Sequence, residues 1–411
     1  MQQKISKCRI CGHDELSTVL NLGTQKLTGI FPKIKKQLVT EGPVELIKCI
    51  HKEGCGLVQI AHRYDIDEFY GENYGYRSGL NRSMVEHLRS KVKKVLSLVS
   101  LNENDIVVDI GSNDGTTLGF YPINLSLIGI DPSGEKFKEY YASHIKLLPD
   151  FFSANTFLNY SNNKKAKVIT SFSMFYDLED PIKFMEEIEM SLADDGIWVF
   201  EQSYMPLMLE RNSYDTVCQE HIEYYALKQI KWMCDKVGLK ILDIEFNDIN
   251  GGSFSIVAAK SKSSYQENEE QINTILNDEK AKGLDTVLPW LDFQKRIDSE
   301  KKNLIIFLEN CKKNGQKVFG LGASTKGNVL LQYCDITPQQ IEAIGEVNKD
   351  KYGCFTPGTL IPIISEDEAL NSDADYYLIL PWHFRDFFIN NLKFKNKKLL
   401  FPLPKVEVIE C

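Results

Sequence analysis

The sequence predicts an α/β chain in three units: a cysteine-bearing module over residues 1–72, a central α/β domain over 73–260 and a smaller α/β unit over 261–411. Three observations predict it. Cys8, Cys11, Cys49 and Cys55 fall in a short, turn-rich opening segment. Between about residues 80 and 260, compact apolar runs alternate with helical runs, the pattern of a parallel sheet covered on both faces. A second alternating series follows a polar, helix-prone stretch. At 411 residues the chain has room for two to three domains of roughly 150 residues.

The central elements follow in order. Residues 84–99 read as a helix. Residues 106–110 form an apolar strand interrupted by Asp109, followed by a turn with Gly111 and Gly115. Further strands are expected at 125–130, 168–171 and 197–200, with a helix at 181–192. Residues 290–311 carry apolar side chains near helical spacing (Leu291, Ile297, Leu304, Leu308) and read as a bridging helix. Beyond it, 318–321 is a strand, then a turn at Gly322, a helix at about 326–333, and strands near 343–344 and 376–380.

Composition narrows the function. Hydrophobic residues at 43% and charged residues at 26% exclude long disorder. A net charge of -9 lacks the broad basic footprint of a nucleic-acid binder. No apolar run approaches the roughly 18 residues of a membrane span, and residues 1–10 have no signal-peptide character. The expectation is a cytoplasmic protein with neither a membrane nor a nucleic acid as partner.

Cys8 and Cys11 form a C-x-x-C pair, and Cys49 and Cys55 a wider one. Four thiolates make a closed, tetrahedral, structural zinc site, and a small module with little core needs such a staple. His13 and His51 stand close enough in sequence to replace a cysteine. The six scattered cysteines read as small core hydrophobes.

The run from Val107 to Gly115 is a strand entering a glycine turn, where backbone can approach a ligand closely. Ligands of such sheets bind at the carboxyl ends of the strands. Asp131 follows about 20 residues on, at the end of the next strand, where a carboxylate can accept from a ribose diol. The turn lacks the three-glycine dinucleotide fingerprint. An aminoacyl nucleoside suits it better, its ammonium near Asn113 and Asp114.

On these residues the segment resembles the class I S-adenosylmethionine-dependent methyltransferases, with a Rossmann-like fold. The resemblance implies S-adenosylmethionine as cofactor, held around Asp109, Gly111, Asn113, Asp114, Asp131 and Pro132. Asp150, Phe151 and Phe152 would frame adenine, and Ser171 would close the site from the next strand.

The run Asp215 to Tyr225 is dense in titratable and aromatic groups, with His221 beside Glu220. A histidine can take and return a proton near neutral pH. With the four-cysteine module, the segment Tyr74 to Gly79, Asn250 to Ser253, and the C-terminal run Gly320 to Asn328, the whole chain resembles the sugar C-methyltransferases that act on nucleotide-linked 4-keto-6-deoxy sugars. That resemblance implies His221 as base, Glu220 as its assistant and Tyr76 as the donor facing the sugar. It implies substrate contacts from Tyr74, Arg77, Tyr176, Glu223, Tyr224 and Asn250. The C-terminal Rossmann-like unit would hold the nucleotide diphosphate through Ser324, Lys326 and Asn328, a glycine turn at a helix N-terminus being suited to anions. Two positions depart from the family pattern: Cys218 stands where some members have tyrosine, and the 173–177 segment lacks their histidine, leaving Tyr176 or Asp177 in its place. The competing readings are an NAD-dependent sugar-nucleotide oxidoreductase and a non-catalytic zinc-knuckle adaptor.

Overall fold

The computed structural model describes residues 3–64 and 76–411, so Tyr74 lies outside the described residues. The N-terminal module is built on β1 (Leu16–Lys26), β2 (Glu41–Cys49) and β3 (Val58–Ile60), paired antiparallel. Val44, Leu46 and Ile60 on this sheet are fully buried.

The central domain holds β4 (Ile106–Ile110), β5 (Ser126–Ile130), β6 (Ile145–Leu148), β7 (Ala166–Phe172), β8 (Leu192–Ser203), β9 (Glu223–Tyr224), β10 (Leu239–Asn247) and β11 (Ser253–Lys260). All but β9 form one seven-stranded sheet in the order β6-β5-β4-β7-β8-β11-β10. β4 is buried along its whole length because helices cover both faces, which is why its sequence runs apolar without alternating. The order reverses beside β4, between β5 and β7, and that switch point opens a crevice at the carboxyl ends. The sheet is not wholly parallel: β11 runs antiparallel to β8 and β10. The link between β10 and β11, residues 248–252, is too short for a crossover and can only make a hairpin. β9 leaves the domain and pairs with β3, so the N-terminal sheet ends on a strand from the central domain.

The C-terminal unit contains β12 (Val318–Leu321), β13 (Ile344–Glu346), β14 (Ile363–Ser365), β15 (Tyr376–Ile379), β16 (Lys398–Phe401) and β17 (Glu407–Glu410), in the order β14-β13-β12-β15-β16-β17. Five are parallel and β17 is antiparallel. Two helices bridge the units, Glu269–Ala281 and Leu288–Lys313. The first packs on the central domain: buried Glu279 accepts from Tyr204 Oη at 2.7 Å and from the N–H groups of Leu227 and Lys228 at 2.6 and 3.1 Å. It thus satisfies open donors at the start of the helix Leu227–Val237. Among the described residues, no helix is long and apolar enough to cross a membrane.

Candidate active site

The four N-terminal cysteines meet. Cys8 and Cys55 Sγ atoms lie 3.5 Å apart, Cys11 and Cys49 3.6 Å apart, and all four fall within 4.8 Å of one another. Four sulfurs about 2.3 Å from a zinc ion would form a tetrahedron with edges of about 3.8 Å. The cluster therefore fits zinc, with no position open for chemistry. Gly54 is needed here, since a Cβ would come within 2.7 Å of Cys49 Sγ. His13 and His51 are not ligands. Their rings stack on each other at 3.6 Å, and His51 Nδ1 accepts from the Glu53 N–H. The ammonium of buried Lys48 donates to Gly56 O at 2.8 Å and supplies a positive charge beside the thiolates.

At the switch point, Gly111 and Asn113 take positive φ (70° and 52°), which bends the chain sharply after β4. Asp131, at the end of β5, receives the Asn113 N–H at 2.7 Å on one oxygen. Its other oxygen takes Ser133 N–H and Oγ at 2.7 and 2.6 Å. The oxygen that takes the Asn113 N–H retains a lone pair for a ribose hydroxyl. Asp150 and half-exposed Phe151 follow β6, while Phe152 turns inward against Phe184. The set fits an aminoacyl nucleoside: a glycine bend, a carboxylate at the second strand end, and an exposed aromatic at the third.

Other residues serve differently from expectation. Asn113 and Asp114 hold the segment at 76–79: Asn113 Nδ2 donates to Tyr76 O and its Oδ1 accepts from Ser78 N–H, while Asp114 accepts from Gly79 N–H. Arg77 pairs with Asp114 at 3.6 Å and lies over the Tyr140 ring. Any contact these two side chains make with an ammonium is shared with that segment. Asp109 lies behind the bend, accepting from Thr170 Oγ1 at 2.5 Å, and burial pushes its carboxyl up to about 7. Ser171 is fully buried and accepts from the Trp198 indole at 3.0 Å, so its hydroxyl serves the core and not the crevice. Pro132 is half-buried within the Asp131 turn.

Replacing Asp131 with Ala should weaken binding of S-adenosylhomocysteine by tenfold or more, since a charged hydrogen bond is worth about 1.5–3 kcal/mol. Calorimetry measures it; an affinity within about twofold of wild type would remove Asp131 from the cofactor site.

A second cavity is lined by Tyr176, Ser203, Met205, Met208, Thr216, His221, Glu223 and Tyr224. His221 Nδ1 donates to Thr216 O at 2.8 Å, and Tyr176 meets the ring edge-on at 4.6 Å. That hydrogen bond selects the Nδ1–H tautomer and leaves the Nε2 lone pair to accept a proton. Glu220 does not orient the ring. Its carboxyl faces Gly29, where a Cβ would sit 2.7 Å from Oε1. Residues 218–220 form a bend that turns the Glu220 side chain away from the ring, and a backbone carbonyl has taken the orienting role. Tyr76 is half-exposed at the cofactor bend and does not line this cavity.

Glu223 is buried, bonded by Tyr225 Oη, with its other oxygen lacking a hydrogen-bond partner. Burial pushes its carboxyl up to about 8, so it is largely protonated at neutral pH. A raised folded-state pKa contributes stability at low pH that is lost as pH rises toward 8. Glu223→Gln mimics the protonated acid, so its melting temperature relative to wild type should climb between pH 5 and pH 8.5. A constant difference across that window would overturn the assignment.

The C-terminal residues divide. Ser324 caps the helix Thr325–Tyr333 by accepting Gly327 N–H at 3.0 Å. Asn328 is fully buried and its Nδ2 donates to Thr28 O at 2.8 Å, which fastens the two outer units together, while its Oδ1 has no hydrogen-bond partner. Lys326 reaches the central domain and donates to Asn250 O at 2.5 Å, while Asn250 Nδ2 donates to Ser173 Oγ at 3.3 Å. Burial pulls Lys326 below the ordinary ammonium range.

Sequence reasoning passed over Trp382 and His383, which follow β15, and gave Asp215 no role. Trp382 Nε1 donates to buried Asp215 at 2.8 Å. Burial, then the charge of Lys326, pulls His383 down to about 3. Their position after a parallel strand was the one available signal.

Comparison with known proteins agrees with this architecture. Three family profiles match in chain order: "Putative zinc binding domain" over residues 8–70, "Methyltransferase domain" over 84–244, and "C-methyltransferase C-terminal domain" over 248–404. The C-methyltransferase NovU of Streptomyces niveus is 26% identical over 414 residues, spanning 99% of this chain and 97% of the relative. Among solved structures, an S-adenosylmethionine-dependent methyltransferase from Clostridium acetobutylicum is 13% identical, with TM-score 0.32 over 43% of this chain and 92% of that one. The plantazolicin methyltransferase BpumL in complex with SAH is 13% identical, with TM-score 0.34 over 42% and 82%. Strand order and family profiles, not these distant structural likenesses, carry the conclusion: the chain has an α/β class I methyltransferase fold, with a zinc-binding module before it and a C-terminal methyltransferase domain after it.

Proposed function

We propose that the chain is an S-adenosylmethionine-dependent C-methyltransferase that methylates C-3 of a nucleotide-linked 4-keto-6-deoxy sugar. The observation that carries the reading is His221. Its Nδ1–H is tied to a carbonyl, its Nε2 keeps a lone pair, and it borders a cavity shared with Glu223 and Tyr224. End-to-end similarity to a C-methyltransferase supports the carbon acceptor.

The chemistry follows from a ketone at C-4, which acidifies the proton on C-3. Nε2 of His221 takes that proton, leaving an enolate whose carbon attacks the methyl group. The cofactor, when bound, supplies an electrophilic methyl on a sulfonium. The chain's own work is to hold both reactants near contact, which can supply much of the rate enhancement, and to donate toward the enolate oxygen. Protonated Glu223 lines the same cavity with one oxygen lacking a hydrogen-bond partner, and can donate to the enolate. Tyr76, half-exposed at the bend, keeps a role in covering the crevice.

The test is mass spectrometry of a panel of nucleotide 4-ketosugars incubated with the enzyme and S-adenosylmethionine carrying a labelled methyl. A mass gain of one labelled methylene on one member, placed at C-3 by NMR, is expected. Hydride exchange with NAD and no methyl gain would favour the oxidoreductase. Binding of neither cofactor would favour the adaptor.

A further inference from the structure

The turn that orients His221 is held by the C-terminal domain. His221 Nδ1 donates to the carbonyl of Thr216, the last residue of a single helical turn, Tyr214–Thr216. The turn closes on itself through Thr216 Oγ1 and N–H, both donating to Ser213 O at 2.9 and 3.2 Å. Its two other side chains leave the central domain. Tyr214 is fully buried, places its hydroxyl 3.4 Å from Cys334 Sγ and meets the Tyr333 ring edge-on at 5.0 Å. Asp215, also buried, accepts from Trp382 Nε1 at 2.8 Å. Cys334, Tyr333 and Trp382 all belong to the C-terminal unit, following or ending the helix Thr325–Tyr333 and following β15.

The turn has two backbone ladder bonds, Thr216 N–H to Ser213 O at 3.2 Å and Val217 N–H to Tyr214 O at 3.0 Å. That is too little to fix a carbonyl direction by itself. The indole N–H is the directional contact on the residue immediately before Thr216. Shape packing at Tyr214 fixes where the turn sits, and the Trp382 bond fixes how it is rotated.

We propose that Trp382 and Asp215 are positioning residues: they set the Thr216 carbonyl, and through it the tautomer and direction of His221, so that the base is aligned only when the C-terminal domain is docked. This rests on the reading of His221 as the base. It gives the C-terminal domain, which lies outside the methyltransferase sheet, a part in aligning the base. Neither residue touches the reacting atoms. A misplacement of about 1 Å in a catalytic group costs on the order of 100-fold, so the loss expected on breaking this bond is roughly 10- to 100-fold in kcat.

The experiment uses the full chain labelled with ¹⁵N-histidine. In wild type, His221 should show the Nδ1–H tautomer. Trp382→Phe keeps the ring and removes the donor; it should give a tautomer mixture and lower kcat by about 10- to 100-fold, with S-adenosylhomocysteine affinity unchanged. Asp215→Asn retains an acceptor for the indole and should keep the wild-type tautomer, whereas Asp215→Leu should lose it. If Trp382→Phe fails to fold, the Asp215 pair carries the same comparison. A wild-type tautomer in both Trp382→Phe and Asp215→Leu overturns the proposal, whatever happens to kcat. An altered tautomer with unchanged kcat upholds the positioning and instead removes His221 as the base.

Discussion

His221→Asn should lose methyl transfer by about 100- to 10,000-fold, the usual cost of removing a positioned general base, while S-adenosylhomocysteine and the sugar nucleotide still bind. The asparagine amide can donate to Thr216 O in place of Nδ1–H. The local turn is therefore preserved, and the loss reports the missing proton acceptor. Proton removal separates from methyl transfer when S-adenosylhomocysteine occupies the cofactor crevice, because C-3 can then exchange with deuterated solvent but cannot be methylated. Wild type should exchange and the variant should not. If the variant exchanges at the wild-type rate, the base lies elsewhere on the cavity wall. Glu220, read as the assistant of His221, faces Gly29 instead.

Cys11→Ser should release the zinc and unfold far more than the cysteine loop. Structural zinc in small domains contributes apparent binding free energies of about 10–16 kcal/mol at neutral pH, and that binding energy is folding energy. In this chain the cluster spans the end of β2 and the approach to β3, and β3 carries β9, which starts two residues after His221. Gln229 on the following helix also donates to Cys55 O at 2.9 Å. Metal analysis should find about one zinc per chain in wild type and none in the variant. Heating should show a large fall in melting temperature, with the base misaligned in whatever remains folded. Retention of stoichiometric zinc by Cys11→Ser would overturn the four-cysteine assignment.

What could be read from the sequence followed from chemistry that is local in the chain. β4 and its bend announce themselves because a strand buried on both faces must be continuously apolar, and the turn after it must pass through positive φ. Cysteine pairs declare themselves because few other roles need that spacing. β9 was not legible, because a two-residue strand has no period. β10 was harder than β4, since an edge strand alternates only partly and the hairpin that follows it bends at Asn250. Side-chain direction was the larger failure. Ser171 and Asn328 looked like ligand contacts because hydroxyls and amides cluster at strand ends. Their partners, Trp198 and Thr28, are remote in sequence and claim those groups for the core. Glu220 and His221 are adjacent in sequence but diverge in space because the chain bends at residues 218–220, which adjacency in sequence does not reveal. Trp382 gave no signal beyond its place after a strand.

The pairing of β3 with β9 bears on how the chain is made. A ribosome delivers the first three strands and all four cysteines early, so the metal can be captured while most of the chain is still unmade. The sheet nevertheless waits, its outer edge bare, until the residues just past His221 emerge. An open edge is a template for pairing with other chains. A fragment cut at residue 72 would therefore bind its ion and still tend to self-associate. A peptide spanning residues 222–226, offered in trans, should compete for that edge and suppress the association.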